Sequence, residues 1–177
     1  MSNKHFLALP VTGDTFAEIR EKNRYYVDKT PYLKTVFSED EAVDDKSLIN
    51  GTTVLLLTRP RRFGKTLLMN MFESFLNINY EKPGDTTIHQ SYFKDTKIFE
   101  EQKFCKKYMG QFPVISITLK DVLGDDFESA YLKLAEVVSA KANEFSFLKE
   151  SPYLNEMEKA KFNLLCDEIY LKKADKQ

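Results

Sequence analysis

Residues 52–76, TTVLLLTRPRRFGKTLLMNMFESFL, change their pattern twice within one stretch. Residues 52–58 are apolar nearly throughout, as expected for a short strand buried on both faces of a parallel sheet. From Lys65 onward, Leu68, Met71, Phe72, Phe75 and Leu76 fall at i, i+3, i+4, i+7 and i+8, which is one apolar stripe of an amphipathic helix. A short basic turn joins the two. A buried strand feeding directly into such a helix predicts an α/β fold, a parallel sheet flanked by helices.

The turn itself points to chemistry. Arg59-Pro60-Arg61-Arg62-Phe63-Gly64-Lys65-Thr66 fits the phosphate-loop frame G-x-x-x-x-G-K-[ST], with Arg59 in place of the first glycine. Gly64 lets backbone pass close to a phosphate oxygen without a side chain in the way. Lys65 can reach the outer phosphates of a nucleotide, and the Thr66 hydroxyl can ligate Mg²⁺. Amides opening the helix add partial positive charge suited to an anion. The expected cofactor is ATP with Mg²⁺, held by Arg59, Pro60, Arg61, Arg62, Phe63, Gly64, Lys65, Thr66 and Leu67, with Thr66 as metal ligand. Arg61 and Arg62 either face the phosphates or face solvent. Two alternatives stand beside this: a basic turn that merely connects a strand to a helix, and a small nucleic-acid patch made by the arginines.

Charge distribution agrees with a small anionic ligand. The net charge of the 177 residues is -1, so no global field favours nucleic acid or membrane. Yet residues 46–72 contain Lys46, Arg59, Arg61, Arg62 and Lys65 and no acid, while residues 121–158 are dominated by acids. Cys105 and Cys166 are far apart and lack CxxC spacing, and His5 and His89 are isolated, so neither a zinc site nor a disulfide framework is suggested. No apolar run reaches 18 residues and the N-terminus is no secretory signal, which predicts a soluble cytoplasmic protein without membrane partners.

Around the loop, the chain reads as alternating helices, extended segments and loops. Residues 3–13 form an extended lead-in, and Asp14 caps a short helix through about Glu21 with Phe16 and Ile19 on one face. Tyr25-Tyr26-Val27 favours an extended segment. Thr30-Pro31 then looks like an N-cap and first helical position for a helix with Tyr32, Leu33, Val36 and Phe37. Asp28 and Lys29 are either a polar helix entry or the rim of a nucleotide pocket. The acidic run 38–45 reads as a solvated loop, and Asn50-Gly51 as a turn. Residues 77–98 are loop-like around Pro83-Gly84-Asp85, and a helix over about 99–109 ends at Gly110 in the C′ position. Residues 114–119 have the composition of a second strand. Asp125 with Glu128 forms a capping box opening the longest helix, about 126–148, and a last helix follows the turn at Ser151-Pro152.

Leu9-Pro10, Tyr25-Tyr26-Val27-Asp28-Lys29-Thr30, the loop from Leu57 to Leu67, Phe112-Pro113-Val114-Ile115-Ser116 and Lys120-Asp121 together resemble the bacterial AAA-ATPase-like family. The family's loop is itself written Arg-Pro-Arg-Arg-Phe-Gly-Lys-Thr, so Arg59 is a family feature. The resemblance implies a P-loop ATPase domain, usually followed by a nuclease-like domain of the PD-(D/E)XK type. Any nucleic-acid partner belongs to that later part.

P-loop ATPases also need an acidic strand that holds Mg²⁺ and polarises the attacking water, and the resemblance puts it downstream of this chain. Leu164-Leu165-Cys166-Asp167-Glu168 has similar letters, but Met157, Leu164, Leu165 and Ile169 fit a helix. Val114–Leu119 is followed by Lys120 before Asp121. No catalytic residue is identifiable. The expected organisation is a lead-in with helices over 1–50 and, over 51–177, the front part of an ATPase domain with an incomplete P-loop NTPase-type parallel sheet. Hydrolysis by this chain alone is expected to be negligible. A downstream domain or a second chain would complete it; a remnant or interaction fragment that binds no nucleotide is the competing reading.

Overall fold

The computed structural model describes residues 7–11, 13–37 and 56–173. His5, Lys46, the acidic run 38–45, the Asn50-Gly51 turn and the first residues of the expected strand, 52–55, lie outside the described residues. The chain divides into two units, Met1–Val114 and Ile115–Gln177.

Unit 1 contains α1 (Phe16–Glu21), α2 (Tyr32–Val36), α3 (Lys65–Leu76), α4 (Thr87–Phe93), α5 (Lys97–Glu100) and α6 (Gln102–Tyr108). Thr15, rather than Asp14, caps α1. Its hydroxyl accepts the Glu18 N–H, and the Glu18 carboxylate accepts the Thr15 N–H at 2.9 Å. Asp14 instead accepts the Val11 N–H at 2.7 Å and pairs with Arg24. Helix α3 follows its stripe: Leu68, Met71 and Phe75 are buried, and Phe72 and Leu76 are partly so.

Aromatic rings from separate helices meet beneath α3. Phe93 of α4 lies 4.9 Å from Phe16 of α1 and 5.0 Å from Phe75 of α3, and Phe75 lies 5.9 Å from Phe104 of α6. Phe16, Phe75 and Phe93 are fully buried. Each contributes about 1.5–3 kcal/mol of burial, and well-oriented ring pairs add about 0.5–1.5 kcal/mol. Cys105 packs in the same core, its thiol directed at the Ile98 carbonyl.

The carbonyls that α3 leaves unpaired at its end are taken up by the chain after α6. Gly110 N–H donates to Phe75 O at 2.8 Å and Phe112 N–H to Leu76 O at 2.9 Å. Gly110, at φ +66°, also passes so close to His89 that a Cβ there would sit 3.2 Å from the ring. Arg20 of α1 serves α4 similarly, donating to the carbonyls of Tyr92 and Lys94. Helix α4 falls in the stretch expected to be loop, and the helix expected over 99–109 is split at Glu101 into α5 and α6.

The expected α/β architecture is corrected by this structure. Among the described residues there is no sheet, and the β pairing is a single parallel bridge between Asn77 and Phe112. Leu56 is 81% exposed and residues 56–60 form no strand, contrary to a strand buried on both faces. Residues 114–119 form none either, and Ile115, Ile117 and Leu119 are exposed. Apolar, β-branched composition favours a pleated surface, but a strand exists only where a neighbouring backbone supplies its hydrogen-bond ladder. Here residues 110–114 spend theirs on the end of α3, and the elements of unit 1 are helices packed on helices.

Unit 2 is α7 (Phe127–Glu144), a 3₁₀ segment (Ser146–Glu150), α8 (Glu156–Cys166) and α9 (Glu168–Lys173). The cap of α7 is shifted by one residue from expectation: Asp126 accepts the Ser129 N–H at 2.8 Å. Asn155 with Glu158 forms the capping box of α8. Residues 164–166 are helical, and the break at Asp167 separates α8 from α9. The link from α7 to the other two helices is polar. Ser139 and Asn143 both donate to the Cys166 carbonyl at 2.9 Å, and the Tyr131 hydroxyl donates to Leu171 O at 3.1 Å. Lys172 bridges Glu136 and Glu168.

Candidate functional site

Gly64 opens α3 with φ +74°, a left-handed conformation that costs a glycine little and a side-chain-bearing residue more. Arg62 also has positive φ, +67°. The chain therefore turns sharply twice within three residues before the helix begins. Lys65, the first residue of α3, folds back and donates from Nζ to the Arg59 carbonyl at 2.6 Å, closing the loop on itself.

Beside this turn lies a pocket of about 240 Å³ lined by Lys29, Tyr32, Leu57, Arg59, Phe63, Gly64, Lys65 and Leu68. Of the residues expected to bind nucleotide, the structure brings Arg59, Phe63, Gly64 and Lys65 to the pocket. Pro60, Arg61, Arg62, Thr66 and Leu67 are not in its wall; Arg61, Arg62 and Thr66 are exposed, and Leu67 packs against the core. Arg59 donates to the Tyr32 hydroxyl at 3.2 Å. Three cations and no carboxylate stand among these lining residues. A phosphate there would meet charge-assisted donors without a competing anion in the wall.

Lys29 and Tyr32 come from a segment well before the loop. Lys29 Nζ donates to the Phe63 carbonyl at 3.2 Å, across 34 positions of sequence. The same ammonium lies close to the Gly64 backbone: a Cβ there would be 3.0 Å from Lys29 Nζ. Lys29 is thus among the residues that line this pocket.

Asp28 and Thr30 fix the segment that carries Lys29. Asp28 accepts from the Thr30 hydroxyl at 2.7 Å, the Thr30 N–H at 2.9 Å and the Lys97 N–H at 2.9 Å. The buried Thr30 hydroxyl in turn accepts the Ile98 N–H at 3.2 Å. Thr30 is therefore not the side-chain cap of α2, whose N-cap is Pro31; with Asp28 it caps α5 from across the fold. Burial acts to raise the Asp28 carboxyl pKa, but the bonds from Lys97 and Thr30 outweigh it and hold it below its ordinary value. The Tyr26 hydroxyl accepts the Lys29 N–H at 3.2 Å, and burial pushes its own pKa up to about 12.

A family model described as Predicted AAA-ATPase matches residues 10–176. The chain belongs to the AAA-ATPase-like family. No curated protein and no solved structure matches it. In this AAA-ATPase-like chain, three cations, Lys29, Arg59 and Lys65, line the pocket beside the loop. A larger cleft of about 480 Å³, lined by residues such as Gln90, Gln102, Cys105 and Lys106, shares no residue with the loop. Among the described residues, no group of three or more His, Cys, Asp or Glu side chains is placed to hold a metal, and no helix is long and apolar enough to cross a membrane.

Lys29 and Tyr32 lie outside the loop motif, and only their proximity in the fold joins them to it. The Tyr25–Thr30 segment was visible as part of the family resemblance, but nothing in its local pattern names the atom that Lys29 reaches.

Proposed function

We propose that residues 59–67, with the pocket beside them, bind the phosphates of ATP together with Mg²⁺. The observation that carries this reading is the convergence of Gly64, Lys65 and Arg59 on one pocket at the opening of a helix, in a chain of an ATPase-like family. Glycine at position 64 leaves room for a phosphate oxygen against backbone, and the helix amides behind it favour an anion. Lys65 exchanges its bond to the Arg59 carbonyl for a phosphate oxygen, a stronger charge-assisted contact.

Mg²⁺ binds nucleotides mainly through phosphate oxygens and water, so one protein hydroxyl suffices, and Thr66 in the first turn of α3 is the residue that would hold it. The ion neutralises phosphate charge when bound. Hydrolysis further requires an acid to position water. The described lining supplies cations and neutral groups, so the chemistry assigned to it is binding and charge neutralisation.

Calorimetric titration with ATP and Mg²⁺ tests the reading, using wild type and Lys65→Ala. Wild type should bind and the variant should lose about tenfold or more in affinity. Equal affinity, or no heat of binding in either, overturns it.

A further inference from the structure

We propose that Lys29 is a second phosphate-binding cation of this site, supplied from outside the loop and held in place by the Asp28–Thr30 strut. The inference rests on the nucleotide reading above and adds to it a residue that the loop motif does not contain.

Three observations carry it. First, Lys29 Nζ already sits on the loop, bonded to the Phe63 carbonyl and 3.0 Å from where a Cβ on Gly64 would stand. An anion seated on the Gly64 backbone is therefore within reach of Lys29 after a small side-chain rotation. Second, among the described residues no carboxylate pairs with Lys29, and its partner is a neutral carbonyl. A phosphate oxygen is the stronger acceptor for an ammonium, so the exchange is favourable. Third, the backbone around Lys29 is fixed. Tyr26 takes its N–H, while Asp28 and Thr30 anchor the segment to the first amides of α5. A lysine on a fixed stem loses less freedom when it binds than one on a loose loop. Lys65 and Lys29 would then approach the phosphates from helix and from lead-in segment respectively, with the loop between them.

The charge arrangement predicts dependence on phosphate number. The test compares wild type, Lys29→Gln, Lys29→Arg and Lys65→Ala by titration with MgATP, MgADP and adenosine, with thermal melts run in parallel. Glutamine keeps a polar N–H donor, on a side chain one bond shorter, and removes the charge. Lys29→Gln should weaken MgATP about tenfold and MgADP less, leave adenosine unchanged, and melt near wild type; Lys29→Arg should recover most of the affinity. An independent readout needs no variant: lysine acetylation of the whole chain, read by mass spectrometry, should slow at Lys29 and Lys65 on adding MgATP.

MgATP affinity unchanged in Lys29→Gln while Lys65→Ala loses its own overturns the inference and leaves the loop reading intact. Equal losses for MgATP and adenosine, or acetylation of Lys29 that MgATP does not slow, also overturn it. Wild type that binds neither MgATP nor MgADP overturns both.

Discussion

Helix α3 has 12 residues and buries Leu68, Met71 and Phe75, whereas α7 has 18 and buries Ala135 and Ser139. In unit 1 the described interior joins aromatic rings from α1, α3, α4 and α6 with aliphatic groups such as Leu33, Leu68, Met71 and Ile98. In unit 2 the described buried side chains are Ala135, Ser139 and Phe145, and large apolar groups such as Tyr153, Met157 and Ile169 are exposed. The contacts that join its helices run through hydroxyl, amide and ammonium groups. Hydrophobic burial is non-directional and scales with area, while buried hydrogen bonds contribute modestly and demand geometry. The first unit therefore buries more large apolar side chains completely, and the second adds a few well-aimed polar contacts to a smaller described interior.

The largest expected effect falls on unit 1. Phe75→Ala removes the ring that touches both Phe93 and Phe104 and should cost about 3–5 kcal/mol. Urea denaturation followed by far-UV circular dichroism reads it. A cost under about 1 kcal/mol would break the comparison, since unit 1 would then not depend on its aromatic core.

Ser139→Ala probes the polar joint of unit 2 and should cost about 1 kcal/mol, because Asn143 still donates to the Cys166 carbonyl. Removing both donors leaves that carbonyl without these partners and should cost more than the sum of the single changes. Denaturation of the two single variants and the double variant measures the difference. Strict additivity would mean that the two donors do not act as a unit.

The smallest effect lies at an exposed cap. The Thr15 N–H first, and then Lys22 and the Thr15 hydroxyl, hold the Glu18 carboxyl at about 2, below its ordinary 4.5. A depressed folded-state pKa means that the capping box stabilises unit 1 above the unfolded-state pKa. That contribution is lost as pH falls through the folded value. Carboxyl NMR titration should find Glu18 titrating near pH 2 in wild type and modestly higher in Thr15→Ala, which loses the hydroxyl but keeps the N–H of residue 15. A wild-type midpoint near 4.5 would show the cap to be open in solution.

These differences follow how much of each region could be read from sequence. The α3 stripe was legible because its apolar spacing, its helical register and its buried face coincide. The caps of α1 and α7 were each misplaced by one residue, since Asp14 and Thr15, or Asp125 and Asp126, are equally good cap formers and only packing chooses between them. Helix α4 was missed because Thr87, Ile88, His89, Tyr92 and Phe93 are indifferent helix formers, and it is the burial of Phe93 that holds them. The strand expected over 114–119 shows the reverse failure: suitable residues, but no ladder partner among the described residues. At the candidate site, Gly64 and Lys65 were legible from spacing. Lys29 was not assignable, because its bond to Phe63 spans 34 positions of sequence, a separation no local pattern encodes.

The placement of the two thiols makes the units chemically distinguishable. Burial first, and then the charge of Glu101, push the Cys105 thiol up to about 11, while Cys166 is only partly covered. Thiolate is the reactive form toward alkylating agents, so Cys105 should be alkylated more slowly than the more accessible Cys166 in the folded protein. The core of unit 1 thus carries its own intrinsic label, one whose reactivity should rise when the packing around α6 opens.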